Sequence, residues 1–151
     1  MTVETAAPVA IGLIGAGRIG TSHAGIIAER VPGVRLGVVA DPRPEAAQAL
    51  ADRYGARALT DPIELINDPE IEAVVIAASS EAHSDLIVAA AAAGKAIFCE
   101  KPMSLNLADA DRALAAAEAA GVILQVGFNR RFDRGFTAAH EAVTSLSLIH
   151  I

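Results

Sequence analysis

Tryptophan is absent from this chain, and aromatic residues make up only 3% of it. Since 53% of the residues are nevertheless apolar, any core must be aliphatic and rich in alanine. A single cysteine, Cys99, excludes an internal disulfide. Basic residues are scarce: 12 Lys and Arg stand against 18 Asp and Glu, which gives a net charge of −6 and a pI near 5.1. An acidic chain with no basic stripe is a poor binder of nucleic acid or of a membrane surface. Long apolar runs are also missing; the longest, Leu86 to Ala93, falls far short of a bilayer. Met1 to Ala7 lacks the basic-then-apolar pattern of a secretory leader, so a cytoplasmic protein is expected. The four histidines and one cysteine show no metal-ligand spacing, and no Ser/His/Asp arrangement suggests acyl transfer. No metal is expected.

What the chain does have is Ile11-Gly12-Leu13-Ile14-Gly15-Ala16-Gly17-Arg18-Ile19-Gly20. An apolar run leads into a glycine turn and then into a helix-compatible segment. Each glycine has its own task in a dinucleotide site. Gly15 permits the tight turn, Gly17 lets backbone approach a pyrophosphate, and Gly20 lets the helix pack near the strand. The free N–H groups and the positive end of that helix would face the phosphates. Asp41 closes the next apolar run, about twenty residues beyond Gly20, where a carboxylate can accept hydrogen bonds from both ribose hydroxyls. Its charge would repel a 2′-phosphate, which favours NAD over NADP, although Arg43 would offset part of that repulsion. The bare glycine pattern is weak evidence; the preceding strand, the following helix and the placed acid make it specific.

Along the chain, strand-like and helix-like segments alternate. Strands are expected near 9–14, 34–40, 56–59, 73–77, 95–99 and 122–126, and helices near 18–30, 43–54, 61–67, 82–93 and 107–120. The strands are short apolar runs with little alternation, as befits a sheet covered on both faces. Gly94 and Gly121 sit where helices end, while Asp61-Pro62 and Asp41-Pro42-Arg43-Pro44 read as helix starts. The pattern predicts an α/β protein with a doubly wound parallel sheet of the Rossmann type. At 151 residues there is room for one such domain, taken as 1–126, and for only the start of a second, α+β domain, taken as 127–144.

A second chemical feature, Phe98-Cys99-Glu100-Lys101-Pro102, follows the fifth strand. Ligands of open α/β sheets sit beyond the carboxyl ends of strands. Lys101 is therefore placed to donate to a substrate oxygen or to help move its proton, with Glu100 beside it to hold it charged or in position. From spacing alone an ordinary charged turn fits as well. Pro102 stiffens the turn and permits a cis peptide. His23 is expected to face helix packing or solvent, and Cys99 to be a small buried hydrophobe. His83 opens a helix and either packs there or stands at the site. Arg130 and Arg131 are either surface charges or site residues.

Taken together, these residues resemble the N-terminal half of the glucose-fructose oxidoreductase / inositol dehydrogenase / rhizopine-catabolism (Gfo/Idh/MocA) family. The matching pieces are 12–20, His23-Ala24, Val39-Ala40-Asp41, Ala78-Ser79-Ser80 with His83, Glu100-Lys101-Pro102, and Gly127-Phe128-Asn129-Arg130-Arg131-Phe132-Asp133. Within the family the wording is most similar to inositol dehydrogenases. The resemblance implies that Gly15, Gly17, Arg18, Ile19, Gly20, Asp41 and Arg43 hold NAD, with Ser79, His83 and Glu100 toward the nicotinamide. Lys101 would be the active-site lysine, and Asn129 and Arg130 would lie near a polyol. The implied reaction is hydride transfer from a ring CH–OH to nicotinamide, in a homo-oligomer (dimer or tetramer) that acts on small molecules.

Members of that family run to roughly twice this length, and their second domain supplies an Asp and a His for the proton step. Residues 145–151 resemble a translated sequencing adaptor, so a truncated reading frame is expected, one that binds NAD, turns over little and is poorly soluble. Two other functions stay open: a non-catalytic NAD(P)-binding sensor, and a dehydrogenase for another sugar.

Overall fold

The computed structural model describes residues 7–145. The expected 145–151 tail therefore lies outside the described residues, apart from Ser145. Six strands form one parallel sheet: β1 (Val9–Ile14), β2 (Val34–Ala40), β3 (Arg57–Leu59), β4 (Ala73–Ile76), β5 (Ala96–Cys99) and β6 (Leu124–Val126). Their order across the sheet is β3-β2-β1-β4-β5-β6, every neighbouring pair running parallel. The chain leaves β1 in one direction for β2 and β3, then returns to the other side of β1 for β4. That reversal opens a crevice at the carboxyl ends of β1 and β4, where doubly wound sheets bind ligands.

Helices cover both faces. Side chains of successive strand residues point to opposite faces, so Leu13 and Val39 go one way while Ile14 and Val38 go the other. The first pair packs with Ala24, Ile27, Leu50 and Ala51 of α1 (Arg18–Arg30) and α2 (Pro44–Tyr54). The second packs with Leu65, Ile66, Leu86, Ile87 and Ala113 of α3 (Pro62–Ile66), α4 (His83–Ala92) and α5 (Leu107–Ala120). The central strands β1 and β2 therefore lack polar alternation, being mostly buried on both faces, whereas β4 and β5 alternate buried with half-buried residues and no residue of the edge strands β3 and β6 is buried. Gly20, Ala24 and Ile27 are the buried residues of α1, a spacing of one helical stripe.

Local signals end the elements where the sequence places them. Asp61 caps α3 by accepting the Ile63 N–H at 2.8 Å, and Asn106 caps α5 through the Asp109 N–H at 2.9 Å. Gly94 and Gly121, with φ of 71° and 66°, make the left-handed turns after α4 and α5. Buried Lys95, ahead of β5, turns its ammonium on the carbonyls of Asp68 (2.8 Å) and Ile71 (2.6 Å). It thus ties the base of β5 to the loop that leads into β4.

The segment after β6 differs from the sequence reading, which assigned it no helix. A 3-10 turn at Asn129–Phe132 leads to α6 (Arg134–Thr144), capped by Asp133 through the N–H groups of Gly135 and Phe136. None of its residues is buried. The helix is local in origin, driven by its cap and its Ala-containing run. Phe128, Phe132 and Phe136 are exposed beside it, with the Arg130 guanidinium over the Phe136 ring at 4.6 Å. Among the described residues, no helix is long and apolar enough to cross a membrane.

Candidate functional site

Gly15 ends β1 with φ of 104°, a conformation that side chains rarely adopt, and a Cβ there would sit 2.5 Å from the Ala77 carbonyl oxygen. Gly20 comes closer still: its Cβ would lie 1.8 Å from the Gly15 carbonyl oxygen. These two glycines press the first turn of α1 against the strand end. Gly17 contrasts with both. A Cβ on it would meet no protein atom within 4 Å, so its own fold does not require the missing side chain. The bare backbone at the N-terminus of α1 is a cradle that a dinucleotide pyrophosphate fits.

Beyond this turn lies a cavity of about 550 Å³ lined by Gly15, Gly17, Asp41, Arg43, Ala77, Ala78, Ser79 and Leu86, among others. A second, of about 260 Å³, shares Ala77 and Ala78 with it and adds Ile19, Ser80, His83, Glu100, Lys101 and Asn129. A third, of about 290 Å³, shares Lys101 and Asn129 with the second and adds Phe128, Arg130 and Arg131. The three form one track along the carboxyl edge of the sheet, from Asp41 to Arg130. It brings together Gly15, Gly17, Ile19, Asp41, Arg43, Ser79, His83, Glu100, Lys101, Asn129 and Arg130. Gly20 lies beneath the track as a packing residue. The Arg18 side chain lies apart, in a hollow between α1 and α2 with Thr21, Ser22, Arg30, Arg53 and Tyr54. Only its backbone belongs to the helix N-terminus.

Asp41 is buried at the end of β2. Its Oδ2 accepts the Ala16 N–H at 2.7 Å and Arg43 Nη2 at 3.2 Å; its Oδ1 accepts the Arg43 N–H at 3.0 Å and Arg43 Nε at 2.9 Å. Burial pushes this carboxyl up, but the hydrogen bonds from Arg43 and Ala16 and the guanidinium charge outweigh it and hold it below the ordinary range. The sequence reading expected Arg43 to soften the charge of Asp41; the structure makes it a direct partner.

At the other end of the track the structure supplies partners that the sequence did not name. Glu100 does not pair with the Lys101 side chain. Its Oε1 lies 2.8 Å from His23 Nε2, and its Oε2 accepts the Lys101 backbone N–H at 3.2 Å. His23 packs as expected, setting its ring edgewise on Phe98 with centroids 5.3 Å apart, and in addition reaches from α1 to Glu100 beside the Lys101 turn. Among the described residues the Lys101 ammonium has no ion-pair partner. The Lys101–Pro102 peptide is cis.

His83 is buried at the start of α4, its Nδ1 2.7 Å from the Pro102 carbonyl oxygen and its Nε2 3.1 Å from that of Ala78. Both ring nitrogens thus face backbone carbonyls, and the ring N–H of a neutral imidazole donates to one of the two, so the residue packs into the site's wall. Cys99 is fully buried, and burial with the nearby Glu100 charge pushes its thiol up to about 12. It is inert, as its apolar surroundings imply. Among the described residues no group of three His, Cys, Asp or Glu is placed to hold a metal. The sequence reading missed Pro62 and Leu86, which wall the first cavity. Their only signal was position near the crevice.

Comparison with known proteins places this geometry among relatives. Residues 9–128 match the family described as "Oxidoreductase family, NAD-binding Rossmann fold", GFO_IDH_MocA. The chain is 46% identical over 134 residues to the myo-inositol 2-dehydrogenase of Thermotoga maritima, covering 88% of this chain and 40% of that protein. It is similar to a crystal structure of scyllo-inositol dehydrogenase from Lactobacillus casei with bound cofactor NAD(H) and scyllo-inositol, with a TM-score of 0.84 and 29% identity over 91% of this chain and 41% of that one. It is also similar to the WlbA dehydrogenase of Bordetella pertussis in complex with NADH and UDP-GlcNAcA, with a TM-score of 0.86 and 30% identity over 93% of this chain and 41% of that one. The chain thus spans about two fifths of the length of these relatives.

Proposed function

This chain belongs to the GFO_IDH_MocA oxidoreductase family, whose match here is an NAD-binding Rossmann fold, and from that premise we propose that it is the cofactor-binding part of an NAD-dependent dehydrogenase oxidising a CH–OH of a cyclic polyol, with myo-inositol as the leading substrate. The observation that carries the reading is the single track from Asp41 to Arg130, which holds candidate groups for both ends of the reaction.

In this reading the turn of Gly15 and Gly17 and the first N–H groups of α1 hold the pyrophosphate, and Asp41 holds the adenosine ribose. Ile19, Ser79 and the His83-braced wall shape the space for the nicotinamide end. Bound NAD supplies the hydride acceptor. Lys101 stands where the substrate hydroxyl would lie and donates to its oxygen, stabilising negative charge as the proton leaves. Glu100 orients the Lys101 backbone, and Asn129 and Arg130 at the end of the track take further hydroxyls. Orientation of the ring carbon toward the cofactor is the largest service this half provides.

The test has two parts. This chain should bind NADH in an equilibrium titration. In the protein carrying it at native length, Lys101→Ala should leave NADH affinity unchanged while myo-inositol oxidation falls by orders of magnitude. Unchanged turnover would remove Lys101 from the reaction. A second reading, a nucleotide-linked sugar as substrate, is favoured by the likeness to the WlbA dehydrogenase. Comparing oxidation of free inositols with that of nucleotide sugars decides between them.

A further inference from the structure

Lys101 is exposed, and its backbone N–H donates to Glu100 Oε2 at 3.2 Å. That carboxylate is itself held. Its Oε1 lies 2.8 Å from His23 Nε2, and since a carboxylate only accepts, this ring nitrogen carries the proton and donates. Helix geometry explains how a residue of α1 reaches so far. His23 falls on the same helical stripe as Gly20, Ala24 and Ile27, the residues that α1 buries. Gly20 lets α1 lie close on the strand ends, since a Cβ there would sit 1.8 Å from the Gly15 carbonyl oxygen. The His23 ring comes to rest edgewise on Phe98, two residues before Glu100. Both side chains of the pair are mostly shielded from water, at 20% and 21% exposed. A charge-assisted bond in such a place keeps its geometry better than an open surface pair does.

We propose that His23 is a positioning residue for the reaction: through Glu100 it fixes the backbone from which the Lys101 side chain projects. The inference rests on the reading of Lys101 as the donor to the substrate hydroxyl. Among the described residues the Lys101 ammonium has no ion-pair partner, so the backbone beneath it sets where it can reach. That backbone is tied on both flanks. The Glu100 N–H donates to the Ile76 carbonyl of β4 at 2.9 Å, and the Pro102 carbonyl oxygen lies 2.7 Å from His83 Nδ1 on α4. His23 adds a tie to α1, the helix whose N-terminus the same reading gives to the pyrophosphate. One hydrogen bond thus joins the element that would cradle the cofactor to the turn that presents the lysine. It sets the spacing between them, and a misplacement of about 1 Å between reacting groups costs about a hundredfold in rate. Packing on Phe98 asks only for a ring at position 23. Positioning asks for a donor where Nε2 stands.

Two substitutions separate those demands. His23→Phe keeps a ring on Phe98 and removes the donor, whereas His23→Gln gives up the ring and offers an amide N–H in place of Nε2. In the protein carrying this chain at native length, at saturating NAD, His23→Phe should slow single-turnover oxidation of myo-inositol by about ten- to a hundredfold with little change in KM. His23→Gln should recover most of that loss. In the 151-residue chain, hydrogen exchange followed by NMR should show the Lys101 amide exchanging about tenfold faster in His23→Phe, the scale of one lost hydrogen bond. His23→Leu, equally without a donor, takes the place of the phenylalanine variant if that one fails to fold, and is compared with His23→Gln, which lacks the ring as well. A full rate without the donor would overturn the proposal and leave His23 a packing residue, as would an unaltered Lys101 amide. Lys101→Ala in the same assay tells the two readings apart. If it turns over like the wild type, the role of Lys101 falls and this inference with it; if it is slow while His23→Phe is not, this inference alone falls.

Discussion

Gly17→Ala separates ligand binding from folding more cleanly than any other substitution in this chain. The added Cβ meets no protein atom within 4 Å, and the residue sits at φ −76° and ψ −171°, a conformation open to alanine. Gly17 caps α1 without a side chain, so alanine costs up to about 1 kcal/mol in cap preference. Reduced freedom of the unfolded chain returns about 0.4–1 kcal/mol. The net is within about 1 kcal/mol, or about 4 °C in Tm for a chain of this size. On the ligand side the methyl would occupy the place proposed for the pyrophosphate. Loss of one charge-assisted hydrogen bond, about 1.5–3 kcal/mol, weakens NADH by about 10- to 150-fold. Thermal unfolding and an NADH titration on the same sample read both quantities. Gly20→Ala is the counterpart: its Cβ would lie 1.8 Å from a backbone oxygen, so its Tm should drop well beyond that of Gly17→Ala. Wild-type NADH affinity in Gly17→Ala would refute the placement of the pyrophosphate.

Two further outcomes concern the scaffold and the carboxylate. Lys95→Ala strips the donor from the Asp68 and Ile71 carbonyls, and with about 1–3 kcal/mol for each group left unpaired it should lower the urea midpoint strongly without altering the m-value. The folded-state pKa of Asp41 lies below its ordinary 3.8, so its stabilisation is complete above that pH and disappears as pH falls through the folded value. The stability difference between wild type and Asp41→Asn should then be constant from pH 5 to 7 and shrink below pH 3.8, as followed by denaturant titration at each pH.

The sheet was legible in the sequence because its evidence is local. A strand buried on both faces is a short apolar run, and a crossover helix starts at Asp-Pro and ends at Gly. Every expected strand and helix is present, with no end displaced by more than two residues. The α6 helix was overlooked although Asp133 signals its start, because its sequence was read as the entry to another domain. The Asp41 and Lys101 neighbourhoods were legible as positions at strand ends, whereas their side-chain partners were not. His23 and Glu100 are 77 residues apart, and only the fold, which sets the His23 ring on Phe98 of β5, makes them neighbours. Glu100 was assigned to Lys101 because sequence adjacency is all a chain reveals before folding. Lys95 was invisible for the same reason: its two acceptors lie in a loop more than twenty positions upstream.

The imidazole of His83 acts as a rivet. It joins the stretch that leaves β4 to the stretch that leaves β5, and those two stretches flank the same groove near Lys101. Widening the groove by parting them would pull the buried ring from between the two carbonyls and break its N–H hydrogen bond, whereas moving them as one slab leaves the rivet whole. Adjustment to ligands of different girth therefore falls to the side facing the slab, where Ile19 and Asn129 stand in the open.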